Sequence, residues 1–247
     1  MLYLCLLIGF VGQLIDGTLG MAYGVSCNTF LQTIYGASPL IASSIVHFSE
    51  IFASGISAFA HFKFKNVDKS LFIKLVIPGV IGGAAGALLL SEYGDHLKGA
   101  VSVYLIIMGV LILIKAFRNK KTKGKTNRGM ICGLAAAGGA LDAAGGGGWG
   151  PVVTSTLLFK TKEPSKAIGT ANAAEFFVTL AESAVFAASV SGIGEYWKEL
   201  VMMVIGGAAA APIAAVLCKK INQKILLIIV GLLVIGLNVY NLINYIS

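Results

Sequence analysis

The sequence predicts an all-α polytopic membrane protein with eight hydrophobic segments in two four-segment repeats. Three observations predict it. Hydrophobic residues make up 57% of the 247 and charged residues only 12%, against about 25% charged in a soluble domain. The apolar residues come in runs of helical length, such as LFIKLVIPGVIGGAAGALLL at 71–90 and ILLIIVGLLVIGLNVYNLI at 225–243. Each is near the roughly 20 residues that cross a bilayer, whereas the strands of a membrane barrel alternate over about 9–11. Third, the second half of the chain restates the first.

In chain order, segment 1–33 opens with MLYLCLLIGFVGQLIDG. It lacks a basic start and an obvious cleavage site, so it is read as part of the mature chain and not as a signal peptide. Segments 40–62, 71–91 and 97–117 complete a first repeat, 1–117. The run KAFRNKKTKGKTNR at 115–128 concentrates much of the formal charge of +8, and 118–128 is read as a basic cytoplasmic linker, not a nucleic-acid site. Segments 129–158, 165–190, 198–218 and 222–245 form a second repeat, 129–247. Cys5, Cys27, Cys132 and Cys218 fit no metal-ligand spacing and are read as small apolar filling.

Three matches carry the repeat. LIDGTLGMAYG (14–24) aligns with ALDAAGGGGWG (140–150), setting Asp16 over Asp142, Tyr23 over Trp149 and Gly24 over Gly150. SPLIASSIVHFSE (38–50) aligns with EPSKAIGTANAAE (163–175), setting His47 over Asn172 and Glu50 over Glu175 at an offset of 125. IGGAAGA (81–87) aligns with IGGAAAA (205–211). Eight simple crossings would make the halves parallel and put CKKINQK (218–224) outside, against the preference of basic loops for the cytoplasm. If 1–33 and 129–158 are broken helices that turn back at their glycines, each half has three full crossings. The halves are then inverted, with SEYGDH (91–96) and SGIGEYW (191–197) outside.

The break in the second half, DAAGGGGWGP, costs helix stability at roughly 1 kcal/mol per glycine against alanine. Irregular backbone at membrane depth survives only where protein or a polar cavity satisfies it. Gly145, Gly146, Gly147, Gly148 and Gly150 are therefore read as N–H donors around an anion, and Gly20 and Gly24 as their first-half counterparts, with fewer glycines. The alternative is close helix packing, which is preferred for IGGAAGA and IGGAAAA. Tyr23 and Trp149 follow the breaks and are read as cavity walls, the alternative being interfacial anchors.

Carboxylates at membrane depth are candidate functional groups. Asp16 and Asp142 either cap the helices that restart after the breaks or take part in coupling. Glu50 and Glu175 sit at matching places with no basic partner near in sequence, and suit proton coupling or gating; Glu182 lies at comparable depth. His47 stands one turn before Glu50 and could relay a proton. Asn172 at the matching place does not titrate, so polar lining is the other reading of both. His61 and His96 fall near helix ends and are read as interfacial. No Lys and Ser/Thr follow the glycines as a phosphate loop requires, and no nucleophile with base and orienting group, metal cluster or cofactor motif marks an enzyme.

GQLIDGTLGMAYG, the SPLIASSIVHFSEI helix followed by FAHFKFKNVD, and GLAAAGGALDAAGGGGWGPV resemble the TauE/SafE family of sulfite and organosulfonate exporters over nearly the whole chain. That resemblance implies a multi-pass inner (plasma) membrane carrier with duplicated halves. Its substrates would be sulfite, sulfoacetate, thiosulfate or related sulfur anions, exported with proton coupling. Family glycines fall on Gly17, Gly20 and Gly24 and on Gly145 to Gly148 and Gly150. The first half departs from the GxGGG form.

The function expected is a secondary transporter of a small anion, with protons and the bilayer as its other partners and no nucleic acid. The rivals are an anion channel and a cation carrier built on the intramembrane carboxylates. Gly/Ala faces would permit a homodimer.

Overall fold

The computed structural model describes residues 2–19, 21–94, 96–117, 127–160, 164–217 and 222–246. Every element within them is helical. Linker residues 118–126 and Gly20 lie outside the described residues, as does Cys218.

Each half opens with a helical hairpin. In the first, α1 (Leu2–Leu19) stops and Ala22 turns the chain at φ 84, after which α2 (Tyr23–Phe30) runs into a wider π-helical stretch, Leu31–Tyr35. α2 folds back along α1, with Tyr23 N–H on Asp16 Oδ1 at 3.3 Å and Cys27 Sγ 3.7 Å from the Ile8 carbonyl.

The next three elements are α3 (Pro39–Lys63), α4 (Lys69–Tyr93) and α5 (Lys98–Phe117). In the second half, α6 (Arg128–Gly145) ends at Gly146, whose φ of 68 suits glycine. A π-helical stretch, Trp149–Thr154, then leads into α7 (Ser155–Lys160). This hairpin also folds back, since Ile131 and Ala135 of the outgoing arm share a core cluster with Val153 and Leu157 of the returning one. α8 (Pro164–Ser189), α9 (Trp197–Leu217) and α10 (Gln223–Ile246) complete the chain. Local sequence explains the starts: Asp68 accepts the N–H groups of Ser70 and Leu71 ahead of α4, and Asn127 accepts that of Met130 in α6.

Among the described residues, five helical runs are long and apolar enough to cross a membrane: Pro39–Lys63, Lys69–Tyr93, Lys98–Phe117, Ile193–Ala214 and Lys224–Ile246. Their outer faces carry Ile56, Phe59, Ile81, Leu232 and Ile246, all at least half exposed. Such faces suit lipid and not water.

The halves interlock. α1 packs along α9, and α6 along α4. The small-residue motifs make this close approach: Gly82 and Gly86 lie on the backbone of Ala136 and Ala140, and Gly206 on that of Leu6 and Phe10. IGGAAGA and IGGAAAA are therefore packing surfaces, as read from the sequence.

α3 also packs on α8, and α5 on α10. Along α3 and α8 the contacts run His61–Gly169, Ser57–Asn172, Gly55–Phe176 and His47–Phe186. Along α5 and α10 they run Gly99–Tyr245, Gly109–Ile235 and Leu113–Gly231. Numbers rise on one helix as they fall on the other, so both pairs are antiparallel.

Candidate functional site

The two hairpin breaks meet. Gly24 lies against the backbone of Gly146, its missing Cβ 2.5 Å from Gly146 Cα, and Gly150 lies against Met21. Only glycine allows backbones this near. Beside the junction is a cavity of about 250 Å³, small beside the roughly 300–1,000 Å³ of a site for a drug-sized ligand.

Both halves line the cavity: Asp16, Tyr23 and Gly24 from the first hairpin, Gly146, Gly150 and Thr154 from the second, Glu50 and Ser57 from α3, and Asn172 and Glu175 from α8. Tyr23 shares a hydrogen bond with Ser49 Oγ at 3.0 Å, and Asn172 Nδ2 donates to Ser57 Oγ at 3.2 Å. Among the described residues no lysine, arginine or histidine lines it.

The two aspartates cap the returning helices. Asp142 Oδ1 accepts the N–H groups of Gly148 and Trp149, each at 2.9 Å, as Asp16 accepts that of Tyr23. Asp142 also receives the Gly146 N–H on its main-chain carbonyl at 2.5 Å. Three N–H groups of the glycine stretch are thus turned onto Asp142, and not into open space.

Gly145, Gly147 and Gly148 are placed by packing, the first two against Tyr104 and Gly148 against the Gly138 backbone. None of the three lines the cavity. Trp149, read from the sequence as a cavity wall, is instead fully buried in the second core cluster. Its Nε1–H donates to the Ala171 carbonyl at 2.9 Å, and its ring rests on Gly79. Gly20 lies outside the described residues.

His47 and Asp142 stand behind the cavity, away from its lining. The His47 Nδ1–H donates to the Ser43 carbonyl at 2.7 Å, since a carbonyl only accepts. Its Nε2 is 3.0 Å from Glu182 Oε2 and 3.8 Å from Asp142 Oδ2. All three side chains are buried. The Phe186 ring covers the imidazole at 5.7 Å.

Donor atoms of His47, Glu50 and Asp142 lie within 4.8 Å of one another, the one such gathering found among the described residues. Glu182 is the group that sequence reasoning left without a role. Its partner lies 135 residues away on an antiparallel helix, and no local pattern announces that pairing.

Residues 5–241 match the family described as Sulfite exporter TauE/SafE. A curated relative, the "Probable membrane transporter protein YtnM" of Bacillus subtilis (strain 168), is 40% identical over 244 residues, covering 96% of this chain and 81% of the relative. No solved structure matches the chain. A helical chain with apolar outer faces and breaks meeting at a small polar cavity agrees with both findings. The chain belongs to the sulfite exporter TauE/SafE family, as a multi-pass protein of the cell membrane that is a secondary transporter of a small anion and not an enzyme.

Proposed function

We propose that this transporter exports a small sulfur-containing anion, such as sulfite, sulfoacetate, thiosulfate or a related organosulfonate, together with protons, and holds it in the cavity where the hairpin breaks meet. One observation carries the coupling: Asp16, Glu50 and Glu175 reach the cavity and, among the described residues, no basic side chain does. Two like charges about 4 Å apart repel by about 4 kcal/mol at an effective dielectric near 20. The anion therefore enters when these carboxyls hold protons, and each ligand raises the affinity for the other. Thr154, Asn172, the Tyr23 hydroxyl and the backbone at Gly24 and Gly150 give the anion its polar contacts, while the Gly146 N–H is held by the Asp142 carbonyl and Gly20 lies outside the described residues. Asp16 and Asp142 fix the breaks that shape them.

The two halves are read as inverted repeats, each a re-entrant hairpin followed by three crossings. Antiparallel packing of the repeat partners α3 with α8 and α5 with α10 supports that reading, as does the folding back of both hairpins. Loops 63–74 and 218–224 are then cytoplasmic with the basic linker, and rocking of one repeat against the other exposes the cavity alternately.

Uptake of labelled sulfite into proteoliposomes under an imposed pH gradient, with sulfoacetate and thiosulfate as competitors, tests this. Gradient-driven flux is expected in the wild type and lost in Glu50→Gln or Glu175→Gln. Unchanged flux in both variants would remove the coupling assignment. Absence of anion flux under every gradient would remove the substrate reading.

A further inference from the structure

The repeat register that sets His47 over Asn172 and Glu50 over Glu175 also sets Ser57 over Glu182. Both derived pairs exist in the fold. Asn172 Nδ2 bonds Ser57 Oγ at 3.2 Å, and His47 Nε2 meets Glu182 Oε2 at 3.0 Å. One pairing of α3 with α8 is therefore made twice, on either side of Glu50 and Glu175. The first is neutral and lines the cavity, whereas the second is built from titratable groups and is sealed from it.

The sealed pair must contain a proton. His47 Nδ1 gives its hydrogen to the Ser43 carbonyl, so in the neutral ring Nε2 presents a lone pair. Nε2 lies 3.0 Å from Glu182 Oε2 and 3.8 Å from Asp142 Oδ2, and all three side chains are buried. Neither Nε2 nor the Glu182 oxygens have a hydrogen-bond partner as placed, so an unprotonated ring nitrogen beside these carboxylates is repelled. A proton between Nε2 and Oε2, carried by either partner, turns that repulsion into attraction. The groups facing His47 are Glu50 on its own helix, Asp142 on α6 and Glu182 on α8. Without the proton, three carboxylates and a neutral ring face each other where α3, α6 and α8 converge, and that end of the interface is driven apart. Asp142 ties the event to the second hairpin, because Oδ2 faces His47 while Oδ1 holds the N–H groups of Gly148 and Trp149.

We propose that Glu182 and His47 form a proton-binding latch that closes the α3–α8 interface beyond the cavity, and that Asn172 with Ser57 is its proton-independent counterpart at the other end. The proposal rests on the reading of the chain as a proton-coupled anion carrier. It adds a second proton site, next to Glu50 but not lining the cavity, and gives Glu182 a positioning role. It also assigns opposite pH demands: the cavity needs protons to admit the anion, and the latch must lose one to open.

Equilibrium exchange of labelled thiosulfate, with equal anion and pH on both sides of proteoliposomes, reads both demands. The wild type is expected to give a bell-shaped pH profile whose acid limb falls about tenfold per pH unit. Glu182→Gln, and the double change His47→Asn with Glu182→Ser, are expected to lose the acid limb and keep the alkaline one. The double variant uses the residues that the fold already places at the matching site, and serves if Glu182→Gln does not fold.

Infrared difference spectra of the purified protein between acid and neutral pH read the site without transport. A carboxylic-acid band present in the wild type and absent in Glu182→Gln is expected, or, where the proton rests on the ring, an imidazolium band shifted by that change. A wild type that carries no anion yet shows the Glu182-dependent signal would fail the transport reading alone. An acid limb that persists in the variants, or spectra indifferent to Glu182, would overturn the latch.

Discussion

Replacing Asp142 separates a structural task from an electrostatic one. Its Oδ1 accepts two buried N–H groups, those of Gly148 and Trp149, at 2.9 Å each. Hydrogen bonds to a charged group contribute about 1.5–3 kcal/mol apiece, so Asp142→Ala should cost roughly 3–6 kcal/mol. At about 2–4 °C per kcal/mol for a chain of this size, the unfolding midpoint should fall by roughly 6–24 °C. Asp142→Asn keeps an oxygen for both N–H groups and replaces the oxygen that faces His47 Nε2 at 3.8 Å, so it should lose less than half as much. Asp16→Ala removes one longer bond of 3.3 Å to Tyr23 N–H, worth about 1 kcal/mol. Thermal unfolding of the purified variants in one detergent should therefore rank Asp142→Ala as the most damaging. Midpoints for Asp142→Ala and Asp16→Ala that agree within about 3 °C would refute the capping argument.

Three further outcomes follow from the packing. Gly24→Ala would set a Cβ 2.5 Å from Gly146 Cα, where carbon atoms need about 3.5–4.0 Å. It should cost about 1–3 kcal/mol and reduce anion flux, whereas Gly236→Ala, with open space around it, should do neither; equal behaviour of the two would count against the meeting of the breaks. Trp149→Phe removes the bond to the Ala171 carbonyl and should lower stability by about 1–2 kcal/mol while anion competition constants stay the same, and a changed substrate ranking would return Trp149 to the cavity wall. In intact cells an impermeant maleimide should label Glu195→Cys and leave Asn66→Cys unlabelled, and the reverse pattern would contradict the assigned sidedness.

The class of fold was legible because lipid as solvent imposes long apolar runs, and six of the eight segments fall within two residues of a single helix. The other two, 1–33 and 129–158, were legible as broken because Asp and Gly are poor helix interior; the structure adds the π-helical stretches after the breaks. The aligned pairs His47 with Asn172 and Glu50 with Glu175 do stand at corresponding places on α3 and α8.

What stayed hidden depended on which helices meet. Tyr23 and Trp149 follow equivalent breaks, yet Trp149 is drawn into the core by Gly79 on α4 and the Ala171 carbonyl on α8, contacts that no local spacing encodes. Gly147 resembles an anion cradle in sequence, but the Tyr104 and Met108 side chains occupy the space that its side chain would fill. Glu182 could be found only by carrying the repeat register on to Ser57 and knowing that α3 and α8 run antiparallel.

The most direct test of the central claim, that anion and proton share one cavity, is the luminal pH of proteoliposomes after thiosulfate is added outside. Thiosulfate is the suitable anion because it does not itself titrate near neutrality. The account predicts that the lumen of wild-type vesicles acidifies as the anion enters, and that Glu50→Gln and Glu175→Gln abolish or reduce the protons moved per anion. Anion entry in the wild type with no change in luminal pH would contradict it.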